Sequence, residues 1–370
     1  MKLASYNVEN LFQRARALNQ ATWQAGKNVL KMHAALNTIL GKAVYSAADK
    51  KKIIQLMKDL GIAKADDGGQ WVILRQNHGH LLTRRKNGTI DIVANGRDDW
   101  IGWVDLKYEA VNEIATRMTA QVIRDLSADI LGIVEAENRP SLLRFCEDVM
   151  PAVNGNAYEH VMLIDGNDER GIDVAVMTRD GYDIRSIRSH VDDSKNGNRI
   201  FSRDCPVFEI NTPAGNVLTV LVNHLKSKGF GSTATSNARR KAQALRVKEI
   251  YDDLRAGGKK LIAVLGDFND TPDSNPLGPL IQQTNLKDIS THNAFDDGGF
   301  PGTFASASAG NKIDYILLSP ELMAHVTGGG VFRKGAWPGV RPQKWDKYVE
   351  MKEPIHAASD HAAIWAEINV

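Results

Sequence analysis

At 370 residues, 43% of them apolar, the chain can bury a large core, either as one big domain or as one domain carrying an insertion. A net charge of +2 excludes a protein that binds nucleic acid by bulk charge alone. Two cysteines, Cys146 and Cys205, exclude a disulfide framework and have no metal-site spacing, and no apolar run approaches the roughly 20 residues of a membrane span.

Both cysteines read as buried small apolar residues or bystanders. Met1-Lys2-Leu3-Ala4-Ser5-Tyr6 moves straight into polar residues, so no signal peptide and a cytoplasmic location are expected. The charge is uneven. Residues 13–108 hold sixteen Lys or Arg against eight Asp and no Glu, a local +8 that leaves about −6 elsewhere. Such asymmetry points to an anionic partner on one side of the molecule.

Lys2 to Asn10 reads as a short strand with Asn7 near its end. In isolation Asn7 is an ordinary strand-end residue and Glu9 a solvated one. Residues 13–108 then read as an inserted subdomain, helical first. Stretches 20–40 and 46–60 have helical spacing; Ile53, Leu56, Met57 and Leu60 share a face, and Gly61 stops the second helix. Short strands follow at Trp71–Leu74, His80–Thr83 and Thr89–Val93, the last two joined by Asn87-Gly88, a hairpin signal. Arg84-Arg85-Lys86 beside that turn suits phosphates, or is a solvated hairpin tip.

Glu109 to Leu126 has the spacing of an amphipathic helix. Asp129 to Val134 is a buried strand that delivers Glu135, Glu137 and Asn138. A carboxylate ending an apolar strand is costly to desolvate unless it meets a cation or donors. Glu135 alternates with the buried residues so as to face a site; Glu137 reads as a supporting or surface group. Ile172 to Met177 is another strand, entered through Asp168-Glu169-Arg170-Gly171. The planar fork of Arg170 suits phosphate oxygens, and Asp173, set among apolar residues, calls for a partner such as histidine. A surface salt bridge is the competing reading of each.

Val217 to Val222 runs into Asn223-His224-Leu225-Lys226-Ser227-Lys228, a buried strand ending in His with two lysines at alternate positions beyond it. That placement favours a general acid or an anion contact over a structural histidine. Residues 236–256 form a helix stopped by Gly257-Gly258, with Arg239-Arg240-Lys241 reading as a phosphate contact or a solvated face. Leu261 to Leu265 is a strand buried on both faces, followed by Gly266-Asp267-Phe268-Asn269. Extended alternation would point Asp267 and Asn269 the same way; taken alone, the stretch is turn or active site alike. Asn311 to Leu318 is a strand with Asp314 among apolar residues. A loop from Gly328 to Ala357 holds Trp337, Trp345, Arg333, Lys334, Arg341 and Lys344, a mixture that suits a nucleic-acid strand or a phosphorylated ring, and the last element carries Ser359-Asp360-His361.

Six polar clusters now stand in order: Asn7, Glu135, His224, Asp267 with Asn269, Asp314, and Asp360 with His361. This set resembles the endonuclease/exonuclease/phosphatase superfamily, whose fold is that of DNase I. The resemblance runs over residues 1–12 and roughly 109–370, outside the 13–108 insertion. It implies an α/β (α+β) four-layer sandwich, two mixed β-sheets packed face to face and flanked by helices, within a single domain spanning 1–370. It also implies hydrolysis of phosphate esters with a divalent cation.

Carried over by position, Glu135, Asn7 and Asp360 are the expected metal ligands, and hard oxygen donors of this kind suit Mg²⁺ or Mn²⁺. His361 is expected to bond the scissile phosphate, oriented by Asp314. Asp267 would position or deprotonate the attacking water and Asn269 would hold the phosphate. His224 matches the histidine that protonates or stabilises the leaving oxygen in the DNase-like and sphingomyelinase-like branches. The family often has Gln where this chain has Val134.

Arg170, Asp173, Lys226 and Lys228 are expected to bind substrate, in the manner of bacterial nuclease-like members. The +8 insertion favours a nucleic acid as substrate, because phosphate backbones reward clustered Lys and Arg; DNA and RNA stay open. A phosphatase or phosphodiesterase acting on inositol phosphates, lipid head groups or another small phosphorylated metabolite is the alternative. No protein partner is implied. A pure binding module is disfavoured, having no need of Asp314, His361 and Asp267 together.

Overall fold

The runs of branched apolar residues at 130–134, 217–222 and 261–265 become central strands, and two sheets are built around them. In the computed structural model, residues 1–11, 23–107, 113–168, 170–228, 232–340 and 343–370 are described. The expected helical residues 20–22 and 109–112, Glu169 and Arg341 lie outside them. The chain divides into two compact units, residues 1–12 with 111–370 and residues 13–110.

The larger unit holds strands β1 (Lys2–Leu11), β2 (Ile130–Ala136), β3 (His160–Leu163), β4 (Asp173–Thr178), β5 (Ile184–Arg188), β6 (Val207–Asn211), β7 (Val217–His224), β8 (Ile262–Asp267), β9 (Asp314–Leu318), β10 (Val326–Phe332) and β11 (Ala363–Ile368). Its two long helices are α1 (Glu113–Leu126) and α2 (Thr233–Ala256). One seven-stranded sheet runs β10-β11-β1-β2-β4-β3 with the short strand Phe295–Asp296 at its edge. A six-stranded sheet runs β9-β8-β7-β6-β5 with Lys287–Asp288 at its edge. Both are mixed: β1 pairs parallel with β2, β7 parallel with β8, and most other neighbours are antiparallel.

Alternation within the strands explains the layers. Leu3, Ile130, Val134, Val174 and Val176 pack inward against Phe208, Leu218, Val220, Ala263 and Leu265 of the second sheet. Side chains on the other face of the first sheet, such as Tyr6, Leu131 and Met177, pack with Met118, Val122 and Ile123 of α1. Those on the outer face of the second, such as Leu221, Val264 and Leu317, pack with Val247, Ile250 and Tyr251 of α2. Helix, sheet, sheet and helix form the four expected layers. Each fully buried Val, Leu or Ile contributes roughly 1.5–3 kcal/mol, so these layers hold the site rigidly. The sheets approach so closely at Gly132 that a Cβ there would lie 2.3 Å from Leu265 Cδ1.

The smaller unit is helical first. Helices Trp23–Leu40 and Ala47–Asp59 precede two two-stranded antiparallel sheets. Ser46 and Asp49 cap the second helix reciprocally, and Gly61, at φ 79°, follows its end. Leu82–Arg84 and Ile90–Ile92 form the Asn87-Gly88 hairpin. Val72–His78 pairs with Ile101–Leu106, a strand that the sequence reading lacked. Arg84 and Arg85 do not form a bare basic tip: Arg84 is bonded to Asp66 and Arg85 to Asp91.

Three further expectations change. Gly328–Gly330 are not loop but part of β10, which pairs with β11. Arg240 is not solvated but fully buried in α2, bonded to Asp270. Arg333 is buried and spends its guanidinium on the carbonyls of Asp297, Phe300 and Gly302. Cys146 and Cys205 are both buried and unbridged, as expected. No helix among the described residues is long and apolar enough to cross a membrane.

Candidate active site

Sheet register brings the polar clusters to one end of the larger unit. Parallel pairing sets His224, the last residue of β7, beside Asp267, the last of β8. Antiparallel pairing sets Asp267 opposite Asp314, the first residue of β9. In the other sheet Asn7 of β1 lies level with Val134 of β2, one residue before Glu135. The Ser359-Asp360-His361 turn is pinned to β1, since Ser359 Oγ donates to Asn7 O at 2.7 Å and accepts from His361 N at 3.0 Å.

Asp267 Oδ2 is the hub. It accepts from Asn7 Nδ2 at 3.2 Å and from Asn269 Nδ2 at 3.1 Å. Nε2 of His224 lies 3.7 Å from it and Nε2 of His361 3.9 Å. His361 Nδ1 is 2.9 Å from Asp314 Oδ2, which also accepts from Thr303 Oγ1 at 2.6 Å. Glu135 Oε1 stands 3.8 Å from His224 Nε2, and Asp360 Oδ1 stands 3.7 Å from His361 Nε2.

Charge is divided unequally between the two imidazoles. Burial works against a charge on His361, but the Asp314 carboxylate outweighs it and holds the ring well above the ordinary histidine value. Burial holds His224 well below that value, with Arg203 and Arg170 pushing the same way. Asp267 is pushed up to about 7 by burial and by Asp314. One cationic histidine, one neutral histidine and a carboxylate of raised basicity therefore meet in one buried spot.

Several sequence expectations need correction. Asp267 and Asn269 do not align by extended alternation. Asn269 sits at φ 56° and its N–H donates to Asp267 Oδ1 at 2.8 Å, so a turn folds one back over the other. The Asn269 amide group is bonded to Asp267 and to Leu225 O, a hold on the carboxylate rather than an open phosphate donor. Glu135 likewise leaves the alternation, at φ 69° in a β-bulge between Val134 and Ala136 that turns its side chain towards His224. Glu9, at φ 51° in β1, mirrors it and accepts from Asp360 N at 3.0 Å.

Three of the four expected substrate contacts, Asp173, Arg170 and Lys228, have partners within the chain. Buried Asp173 accepts from Gly166 N at 2.9 Å, not from a histidine. Arg170 makes a two-point bond with Asp168 at 2.8 and 2.6 Å, and buried Arg203 has its Nε 3.0 Å from the same carboxylate. Lys228 pairs with Asp270 at 2.7 Å. Lys226, lowered to about 8 by burial and by Arg203 and Arg170, is held by its backbone between Gln243 and Arg240. Thr303 and Arg203 carry no sequence signal, and only the fold brings Thr303 to Asp314 and Arg203 to Asp168.

Asp267, Asp314 and His361 have donor atoms within 4.8 Å of one another, a grouping able to hold a metal ion. Glu135 and Asp360 stand beside that hub with carboxylate oxygens, the chemistry of a hard divalent cation, whereas Asn7, an expected ligand, turns its Nδ2 to Asp267 and its Oδ1 to Glu9 N.

The sequence model of the Endonuclease/Exonuclease/phosphatase family matches residues 91–327. The chain belongs to that family. It is thus a metal-dependent phosphoric ester hydrolase. The matched span takes in Glu135, His224, Asp267 and Asp314. No curated protein sequence matches the chain. Among solved structures, a mannosyl-6-phosphatase of Bacteroides thetaiotaomicron VPI-5482 is 19% identical, with a TM-score of 0.51 over 69% of this chain and 91% of that one. A second Bacteroides thetaiotaomicron protein of the endonuclease/exonuclease/phosphatase family is 19% identical, with a TM-score of 0.49 over 68% and 87%. The human nocturnin catalytic domain, solved with a bound sulfate anion, is 16% identical, with a TM-score of 0.47 over 70% and 88%. At 19% identity the likeness to the mannosyl-6-phosphatase is one of fold.

Proposed function

We propose that the protein is a phosphodiesterase acting on nucleic acid with Mg²⁺ or Mn²⁺. The observation that carries this reading is the hub at Asp267 Oδ2, with a cationic and a neutral imidazole on either side of one buried carboxylate. Glu135 and Asp360 would hold the metal. When bound, it supplies charge neutralisation at the phosphate oxygens.

The rest of the chemistry belongs to the chain. His361, held protonated by Asp314, donates from Nε2 to a non-bridging phosphate oxygen. Asp267, raised to about 7, accepts a proton from the attacking water. Asn269 and Asn7 donate to Asp267 Oδ2 and fix its direction. His224, neutral because burial and two guanidiniums disfavour its charge, stabilises the leaving oxygen by hydrogen bonding. The choice of nucleic acid rests on the +8 of residues 13–108, whose Lys51, Lys52 and Lys86 are exposed.

The test is hydrolysis of supercoiled plasmid, single-stranded DNA and RNA with Mg²⁺ or Mn²⁺. Glu135→Ala, His361→Ala and chelator-treated samples run in parallel. Metal-dependent cutting lost in both variants is the expected result. Phosphate release from inositol phosphates or phosphosugars, without cutting, would overturn the nuclease assignment.

A further inference from the structure

Beside the reacting centre the larger unit has a pocket of about 410 Å³, whose lining includes Trp337, Pro338, Lys344, Trp345, Glu9 and Asp360. Asp360 joins it to the catalytic hub, since its Oδ1 is 3.7 Å from His361 Nε2. A group in this pocket would therefore lie next to that hub. Nothing in the mechanism above uses the two indoles.

Both rings are half-buried and held in place. Trp345 Nε1 donates to Ala336 O at 3.0 Å, and its ring meets Phe300 edge-on at 5.4 Å. The Arg333 guanidinium lies 6.0 Å from the Trp345 ring, and Lys347 Nζ lies 5.0 Å from the Trp337 ring. Preset indoles, each with a cation over its ring, favour a flat π-system over a flexible chain. The polar side chains of the wall already have partners within the chain. Glu9 accepts from Asp360 N, Lys344 donates to Ser306 O, and Ser306 Oγ accepts from Asn311. A hexose, with several hydroxyls to satisfy, would have to compete with those bonds. A nucleobase needs chiefly a face to stack on.

We infer that this pocket is a base-stacking subsite, in which Trp337 and Trp345 hold the nucleobase next to the scissile phosphate. The inference rests on the nuclease reading and adds to it a substrate-recognition element at Trp337 and Trp345.

The test measures binding of adenosine 5′-monophosphate and ribose 5-phosphate by calorimetry in Mg²⁺, with phosphate release followed in the same samples. Wild-type protein should bind the nucleotide about tenfold or more tightly, the order of one base–aromatic stack. Trp345→Ala and Trp337→Ala should bring the nucleotide down to the level of ribose 5-phosphate and leave the latter unchanged, with Trp345→Phe retaining most of the preference. Equal affinities in the wild-type protein would overturn the inference, whether or not the variants fold. So would variants that weaken both ligands alike. Phosphate release from either compound, with plasmid left uncut, would instead remove the nuclease reading while the base preference is still measured through KM.

Discussion

His361 Nδ1 lies 2.9 Å from Asp314 Oδ2, and Thr303 Oγ1 donates to the same oxygen at 2.6 Å. The bond fixes the ring so that Nε2 faces Asp267 and Asn7. It also keeps the proton on the imidazole. Asp314→Asn and His361→Ala should each lower kcat by about 10²–10⁴. Because the two act as a unit, the double variant should be little slower than His361→Ala alone. Multiplicative losses in a kcat cycle on a chromogenic diester would show that they act independently.

Glu135 reaches the site only because its bulge turns it there. Glu135→Gln keeps the shape and removes a charge. Calorimetric Mn²⁺ affinity should fall by more than the roughly tenfold that losing a supporting contact costs. Unchanged affinity would assign the metal to other residues.

Asp173 is buried, and burial pushes its carboxyl up to about 7, with Asp165 and Asp168 adding to the effect. Between the ordinary carboxylate value of 3.8 and about 7, the folded state binds more protons here than the unfolded state. Its contribution to stability is therefore full at low pH and lost as pH rises through that window. Asp173→Asn should abolish this loss, making the protein roughly 2–4 kcal/mol more stable relative to wild type at pH 8 than at pH 4. Urea unfolding at the two pH values reads it directly.

Gly266 lies inside β8 at φ 129°, where a Cβ would stand 1.9 Å from Asn223 O on the neighbouring strand. Gly266→Ala must break the ladder next to Asp267 and should cost roughly 3 kcal/mol or more. Gly215, in the turn between β6 and β7, has nothing within 4 Å of its would-be Cβ. Gly215→Ala should cost only about 1 kcal/mol, the penalty of its positive φ. Equal costs in urea unfolding would contradict the close-approach argument.

Lys51, Lys52 and Lys86 are exposed in the +8 unit. Changing all three to Gln should weaken binding to nucleic acid and reduce its logarithmic salt slope by about 0.7–0.9 per contact removed. Turnover of a small chromogenic ester should be unaffected. An unchanged salt slope would leave this unit without a part in binding.

Apolar runs and the residues that close them are local features, so the buried strands and their polar ends are legible in the sequence, and the six motifs in order carry the resemblance to the family. Asn7, Glu135, His224, Asp267, Asp314 and His361 were all legible in that way. How those ends are joined was not. The bulge at Glu135, the turn at Asn269 and the Thr303 hydroxyl on Asp314 each depend on a partner strand or loop far along the chain. The same holds for charge. Arg170 reads as a phosphate clamp or a surface salt bridge and Arg240 as a phosphate contact or a solvated face, yet Asp168 and Asp270 engage them, since a buried or half-buried charge must find its counter-ion wherever the fold brings one. Only the tertiary structure decided which histidine carries a proton, because desolvation and neighbouring charge act through space, not along the chain.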